Sequence, residues 1–414
     1  MAKSEFIRLL QERGYFNQCT NLETLDELCQ KESVIGYIGF DATAKSLHVG
    51  SLIQIMILRL MQKCGHKPVV LMGGGTTKIG DPSGKDEARQ MLTHDIIEQN
   101  KQSIGKVFAS FMKFGSGTSD AIMVDNAQWL DDIKYIDFLR DIGKHFTINK
   151  MLAFDSVKLR LEREQPLTFL EFNYMLLQSY DFVELNKLYN CRLQLGGSDQ
   201  WGNIVSGVDL GRRLGTPELF GITSNLITTK SGAKMGKTAS GAVWLNADML
   251  SPYDYWQFWR NTDDGDVENF LLMFTELPVD EVKRLGQLKD KEINDAKIIL
   301  ANEATALCHG REAAMHAHQT ALKTFTDGQS GEGLPTFEIS KAEIGSGIAA
   351  FKLFAMSGLC KSGGEARRLI QGKGAKLNNQ VIENESQLIT TESFTNDELK
   401  LSFGQKKHLI VKMK

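Results

Sequence analysis

Residues 37 to 52, Tyr-Ile-Gly-Phe-Asp-Ala-Thr-Ala-Lys-Ser-Leu-His-Val-Gly-Ser-Leu, constrain the fold of this chain more than any other stretch. An apolar run, Val34 to Phe40, enters it, a small polar loop follows, and an apolar-periodic stretch, Leu52 to Met61, leaves it. That order of strand, loop and helix is a first βα turn. Pro68 to Met72 reads as the next strand, so the helix between them is a crossover and the two strands pair in parallel with a right-handed connection. Backbone N–H groups at the start of such a helix are unpaired and carry partial positive charge, which suits them to phosphate. A single His48 at that place, taken alone, reads more readily as a helix cap.

The rest of the first half extends the pattern. Residues 4 to 13 and 21 to 30 read as short outer helices with Ser4 and Asn21 as N-caps. The second strand runs into the glycine-rich stretch Gly73 to Arg89, which is not a phosphate-binding Walker loop: Ile79 stands where that motif needs Gly, and Asp86 where it needs Ser or Thr. At the carboxyl end of a parallel strand this loop is expected to line the same crevice as the first turn. A helix over Thr93 to Met112 and a third strand over Ala121 to Asp125 follow, with Trp129 just beyond. Tyr135 to Leu152 and Ser156 to Glu164 are amphipathic; they read either as surface helices or as an insertion over the crevice. A helix from Thr168 to Tyr180 puts Tyr174 and Gln178 on one face with Asp181 beside them. A strand (Arg192 to Leu195), a tight polar loop (Gly196 to Asn203), a helix (Ile204 to Leu214) and a strand-like run (Thr223 to Thr229) lead to Ser231 to Thr238, a loop carrying Lys234 and Lys237 among Ser, Gly and Ala.

Beyond residue 245 the character changes. Ser251 to Met273 and Val279 to Phe325 are helical in pattern, and residues 327 to 340 have linker composition. Residues 341 to 414 hold 12 Lys and Arg against 7 Asp and Glu, a net +5 that leaves −8 on the first 340 residues. A basic tail on an acidic body points to a polyanionic partner for the tail. The six cysteines (19, 29, 64, 191, 308 and 360) show no Cys-x-x-Cys pair and no His at ligand spacing, so neither a zinc site nor a disulfide framework is expected. With no apolar run of membrane-spanning length and no apolar signal region at the N-terminus, a cytoplasmic protein is expected.

The tract His48-Val-Gly-Ser51 resembles the His-Ile-Gly-His signature of the class I aminoacyl-tRNA synthetases, with serine in place of the second histidine. Lys234-Met-Gly-Lys237-Thr resembles their second signature, Lys-Met-Ser-Lys-Ser. The flanks are similar to the tyrosyl branch of that family, and Lys361 to Ile382 is similar to the small RNA-binding fold first known from a ribosomal small-subunit protein. The resemblance implies an α/β chain: a Rossmann-like parallel-sheet catalytic domain over 1–245 with a helical dimerisation segment at about 130–165, a helical anticodon-side domain over 246–326, a linker over 327–340, and a small α+β RNA-binding domain over 341–414.

It also implies tyrosine activation by ATP, with Mg²⁺ on the phosphates, and transfer to tRNA(Tyr) by a homodimer. Carried over residue by residue, Thr43, His48, Lys85, Arg89, Lys234 and Lys237 serve the phosphates and the leaving pyrophosphate. Tyr37 and Asp181 hold the phenol, while Asp81, Tyr174, Gln178 and Gln200 surround the ammonium. Gly39, Asp41, Gly50, Ser51, Gly197 and Asp199 line the nucleotide, and Arg367, Arg368, Lys373 and Lys376 face RNA. The chemistry of the residues agrees: cations for a triphosphate and no candidate nucleophile describe catalysis by positioning and charge stabilisation. Two other readings share the scaffold, a tryptophanyl enzyme and an RNA-binding or splicing protein without catalysis. A pocket offering Tyr37 and Asp181 to a phenol argues against the first, because indole donates once and accepts nothing.

Overall fold

The structure, a computed structural model, describes residues 2–83, 91–227, 235, 237–238, 241–326, 334–404 and 407–414. The chain divides into two compact units: the described residues of Met1–Gly236, Trp244–Asn246 and Gly265–Gln287 form one, and those of Lys237–Val243, Ala247–Asp264 and Leu288–Lys414 the other.

The first unit is built on a six-stranded sheet of β1 (Phe16–Cys19), β2 (Ile35–Phe40), β3 (Lys67–Met72), β4 (Ile122–Asp125), β5 (Leu193–Gly197) and β6 (Phe220–Ser224), in the spatial order β1-β6-β5-β2-β3-β4. All neighbours are parallel except β1, which pairs antiparallel with β6 at the edge. β5 and β6 are buried along their whole length, as strands covered on both faces must be. Strand order reverses between β2 and β5, and a parallel sheet opens a crevice at the carboxyl ends of such a pair. The parallel sheet expected from the sequence is therefore present. β1 went unforeseen because a four-residue edge strand, half-buried at every position, carries no alternation to read.

Helices α1 (Glu5–Glu12) and α2 (Leu22–Lys31) are capped by Ser4 and Asn21 as expected. Helix α3 (Val49–Lys63) starts a turn earlier than the apolar pattern suggests, because His48 is its N-cap and brings Gly50 and Ser51 inside the first turn. Its buried residues include Leu52, Ile55, Met56, Leu58 and Met61, so the sheet's central crossover is a core helix. α4 (His94–Phe111) follows β3, and α5 (Tyr174–Tyr189) and α6 (Trp201–Arg213) flank β5. The stretch expected as one helix from Thr168 is two: a capping box between Thr168 and Glu171 starts a short turn at Phe169–Phe172, and α5 begins after Asn173. Glu171 is buried against Arg160 at 3.1 Å, which ties this turn to the preceding helical insertion.

Gly265–Gln287, expected within the helical domain, belongs to the first unit. The reason is a set of capped carbonyls that no periodicity reveals. The Arg13 guanidinium donates to Leu272 and Thr275 at 2.9 Å and to Leu277 at 2.8 Å, Tyr15 donates to Met273, and Arg59 pairs with Glu276 at 2.6 Å.

In the second unit, helices Pro252–Arg260, Ile293–His309 and Arg311–Thr326 pack around buried Trp256 and Trp259, with the Trp256 indole donating to Asn302 at 2.8 Å. The C-terminal portion is a five-stranded sheet whose core includes Leu353, Phe354, Ile370, Leu399, Leu401 and Val411. One of its strands, Thr336–Ile339, pairs in parallel with Lys407–Met413 although it falls in the expected linker. Ile339 is its buried anchor. Among the described residues no helix is long and apolar enough to cross a membrane.

Candidate active site

The carboxyl ends of β2, β3 and β5 and the N-terminus of α3 surround a cavity of about 440 Å³. It is lined by Tyr37, Gly39, Asp41, Thr43, His48, Gly50, Ser51, Asp81, Tyr174, Gln178, Asp181, Gly197, Asp199 and Gln200, so the topology brings together residues that lie far apart in the sequence. Lys85, Arg89 and Lys234 lie outside the described residues, as does the side chain of Lys237.

One end of the cavity is buried and acidic. Asp181 is 2% exposed on α5, and its two carboxylate oxygens accept from the Trp129 indole at 2.8 Å and from the Asn126 amide at 3.0 Å. Burial pushes its carboxyl up to about 7; the two hydrogen bonds pull the other way, and the carboxylates of Asp41 and Asp125 add to the upward push. Tyr37, 1% exposed, shows no hydrogen-bond partner for its hydroxyl among the described residues. Burial, with Asp181 next, raises this phenol far above its ordinary range. The Gln194 side-chain oxygen, on the strand position paired with Tyr37, is also buried and shows no partner among the described residues. Buried polar atoms of this kind are costly unless a ligand completes them.

The middle of the cavity is a polar relay. Gln200 donates to Asp81 at 2.8 Å, Gln178 donates to Gln200 at 3.3 Å, and Asn203 donates to Gln178 at 2.9 Å. Thr76 and Tyr174 donate to opposite oxygens of Asp41, at 2.9 and 3.4 Å. The helical spacing read from the sequence therefore does place Tyr174, Gln178 and Asp181 on one face, toward one cavity.

The other end is the start of α3. The His48 ring nitrogen Nδ1 accepts from the Gly50 N–H at 3.0 Å, so the neutral ring carries its proton on Nε2. Gly50 has to be glycine, because a Cβ there would lie 2.6 Å from the folded-back imidazole. The glycine-rich loop after β3 is anchored to the neighbouring strand. Its amides are already used by the end of β4, Gly74 N–H donating to Asp125 at 3.0 Å and Gly75 N–H to Asn126 at 2.8 Å. Gly73, Thr76 and Asp81 still line the cavity.

Sequence reasoning missed Asn126, Thr76, Asn203, Gln194 and Trp244, and noted Trp129 only as lying beyond a strand. Asn126 was the recoverable one, since it is the first residue past the carboxyl end of a parallel strand.

In the C-terminal sheet region, Arg368 and Lys373 are exposed, and Lys376 is half-buried on a strand. Arg367 is already engaged, stacked 3.9 Å over the Phe351 ring and 3.4 Å from Glu385.

Comparison with known proteins places this geometry. The family described as tRNA synthetases class I (W and Y) matches residues 30–326. The chain is 59% identical over 413 residues to the tyrosine–tRNA ligase of Ehrlichia canis (strain Jake), covering 100% of this chain and 99% of that one. It is 56% identical over 412 residues to that of Brucella abortus (strain 2308), covering 99% of each. Among solved structures, a C-terminally truncated Aspergillus nidulans mitochondrial tyrosyl-tRNA synthetase superposes with a TM-score of 0.70 at 31% identity, over 78% of this chain and 94% of that one. The chain belongs to the class I tRNA synthetase family of the tryptophan and tyrosine enzymes. Within that family its place is with the bacterial-type tyrosine–tRNA ligases, whose substrates include ATP. The tryptophanyl and non-catalytic readings are not favoured.

Proposed function

We propose that the cavity divides the ligase reaction between its two ends. At the buried end Asp181 accepts the phenolic hydrogen of tyrosine, and Tyr37 supplies the second polar contact to that oxygen. In the middle, Asp81, Tyr174, Gln178 and Gln200 take the ammonium, whose three donors suit carboxylate, phenol and amide oxygens. Asn126 and Trp129 act through Asp181 by holding its carboxylate in place. At the helix end Thr43 and His48 meet the ATP phosphates, while Gly39, Asp41, Gly50, Ser51, Gly197 and Asp199 border the nucleotide. Lys85, Arg89, Lys234 and Lys237 neutralise the pyrophosphate.

In the first step a tyrosine carboxylate oxygen bonds to the α-phosphorus, the bond to the bridging oxygen breaks, and pyrophosphate departs with the Mg²⁺ that entered on ATP. In the second, a terminal ribose hydroxyl of tRNA(Tyr) attacks the tyrosyl carbonyl and AMP leaves. Residues 247–264 and 288–326 then form the anticodon-side domain. Residues 341–414 grip RNA through Arg368, Lys373 and Lys376, with Arg367 shared between RNA and Glu385. The helical insertion carries Tyr135, Ile136 and Ile148, and the turn after it Phe169, at 56 to 71% exposure beside an apolar groove of about 400 Å³. Apolar surface of that kind marks an interface, and we assign it to the homodimer. The protein works in the cytoplasm, where its tRNA is charged.

The observation that carries this reading is the buried Asp181, fixed by two donors, with a Tyr37 hydroxyl that has no partner among the described residues. Asp181→Ala is expected to lower kcat/KM for tyrosine by roughly a hundredfold in ATP–pyrophosphate exchange, the cost of leaving buried donors unpaired. A wild-type kcat/KM in that variant would overturn the pocket assignment.

A further inference from the structure

Immediately after the second signature loop, the chain returns to the first. Trp244 forms an antiparallel bridge with His48, and the Leu245 N–H donates to the Leu47 carbonyl at 2.9 Å. Asn246 closes the contact reciprocally: its N–H donates to the Ser46 hydroxyl at 3.2 Å, and that hydroxyl donates to its side-chain oxygen at 2.6 Å. The Asn246 amide also donates to the Ser103 hydroxyl on α4 at 3.1 Å. Ser46 and Leu245 are 3% exposed, so these bonds are sheltered from water. The Trp244 ring meets the His48 imidazole edge-on, with centroids 6.2 Å apart at 62°, and both rings line the cavity. Between the two signature lysines, the Met235 carbonyl lies 3.1 Å from where a Gly50 Cβ would stand.

We propose that Trp244 and Asn246 are positioning residues for the nucleotide half of the reaction: a clamp that holds the His48 imidazole at the helix N-terminus and fixes the point where the lysine loop rejoins the catalytic unit. A hydrogen bond from Gly50 sets the plane of the His48 ring on one edge. Trp244 blocks its rotation on another. Asn246, bonded to both Ser46 and Ser103, stops the bridge from peeling away. The clamp acts on ATP and not on tyrosine, because its bonds run to Ser46, Leu47 and Ser103 and not to Asp181 or the Gln178–Gln200 relay.

The clamp rests on the phosphate role assigned to His48, and the test separates the two. Single-turnover adenylate formation and equilibrium tyrosine binding are measured for Trp244→Leu, Trp244→Phe, Asn246→Ala and His48→Ala, and for Trp244→Leu combined with His48→Ala. Trp244→Leu and Asn246→Ala are expected to slow adenylation by about tenfold to a hundredfold, as small misplacements of a catalytic group do, with tyrosine affinity unchanged. Trp244→Phe, which keeps a ring, restores most of the rate. In the His48→Ala background, Trp244→Leu adds little, since its effect runs through the missing imidazole. Full additivity of the two changes, or loss of tyrosine binding in parallel with the rate, overturns the clamp. A His48→Ala variant with wild-type adenylation overturns the phosphate role itself. If Trp244→Leu fails to fold, Ser46→Ala breaks the same bridge with a smaller change and is held to the same outcomes.

Discussion

At the scale of single residues, the site is organised by what burial does to Asp181. A carboxyl raised to about 7 by desolvation is a liability for folding. Its folded value lies above the unfolded value near 4, so the folded state binds the extra proton and the cost of ionising it grows as pH rises from about 4 to about 7. That cost is absent below about pH 4 and fully present above about pH 7. Asp181→Asn removes the titration. The variant is therefore expected to gain stability over the wild type as pH rises from about 5 to about 8, by on the order of a few kcal/mol at the upper end. Denaturant unfolding at both pH values checks it, and a pH-independent gap between the two proteins would show that Asp181 is not strained by burial. Sequence indicated Asp181 through helical spacing and family resemblance. Its strain was illegible there, because its surroundings, Asn126, Trp129, Asp41 and Asp125, are distant in sequence.

At the scale of elements, the first βα turn was legible because a buried strand, a polar loop and an apolar helix leave different periodicities. The start of α3 was legible only in part: His48 reads as a cap in the sequence and does cap the helix, but the apolar pattern begins at Leu52 and leaves Gly50 and Ser51 outside. Trp244–Asn246 was not legible. Three residues joined to a loop about 200 positions away show no pattern of their own. The lysine loop is the element that sequence resemblance identifies and whose chemistry is the most open to test. Interactions that form only as charge develops on pyrophosphate lower the barrier without binding the ground state. Ala at Lys234 or Lys237 is expected to reduce kcat for adenylation by roughly tenfold or more, with the KM for tyrosine nearly unchanged. Unchanged single-turnover adenylation in both variants would remove the loop from the chemistry.

At the scale of the whole molecule, charge and fold divide the labour. The cavity belongs wholly to the first unit, and the net +5 of residues 341–414 belongs to the second. A chain ending at Gly333 is expected to keep pyrophosphate exchange and to charge tRNA poorly, with the log–log salt slope of tRNA binding reduced by about 0.7 to 0.9 for every RNA phosphate that the shortened chain no longer neutralises. Normal charging with an unaltered slope would return Arg368, Lys373 and Lys376 to the role of a solvated surface. Domain organisation leaves a mark in the sequence only where composition shifts, and the basic tail is such a shift. It was misread at Gly265–Gln287 and Thr336–Ile339, where capping by Arg13 and a single parallel strand decide membership. The central claim is that one cavity selects tyrosine and joins it to ATP. Amino-acid-dependent ATP–pyrophosphate exchange, measured with all the standard amino acids on the full chain, tests it most directly: exchange with tyrosine alone is predicted, and exchange driven by tryptophan, or by no amino acid, would contradict it.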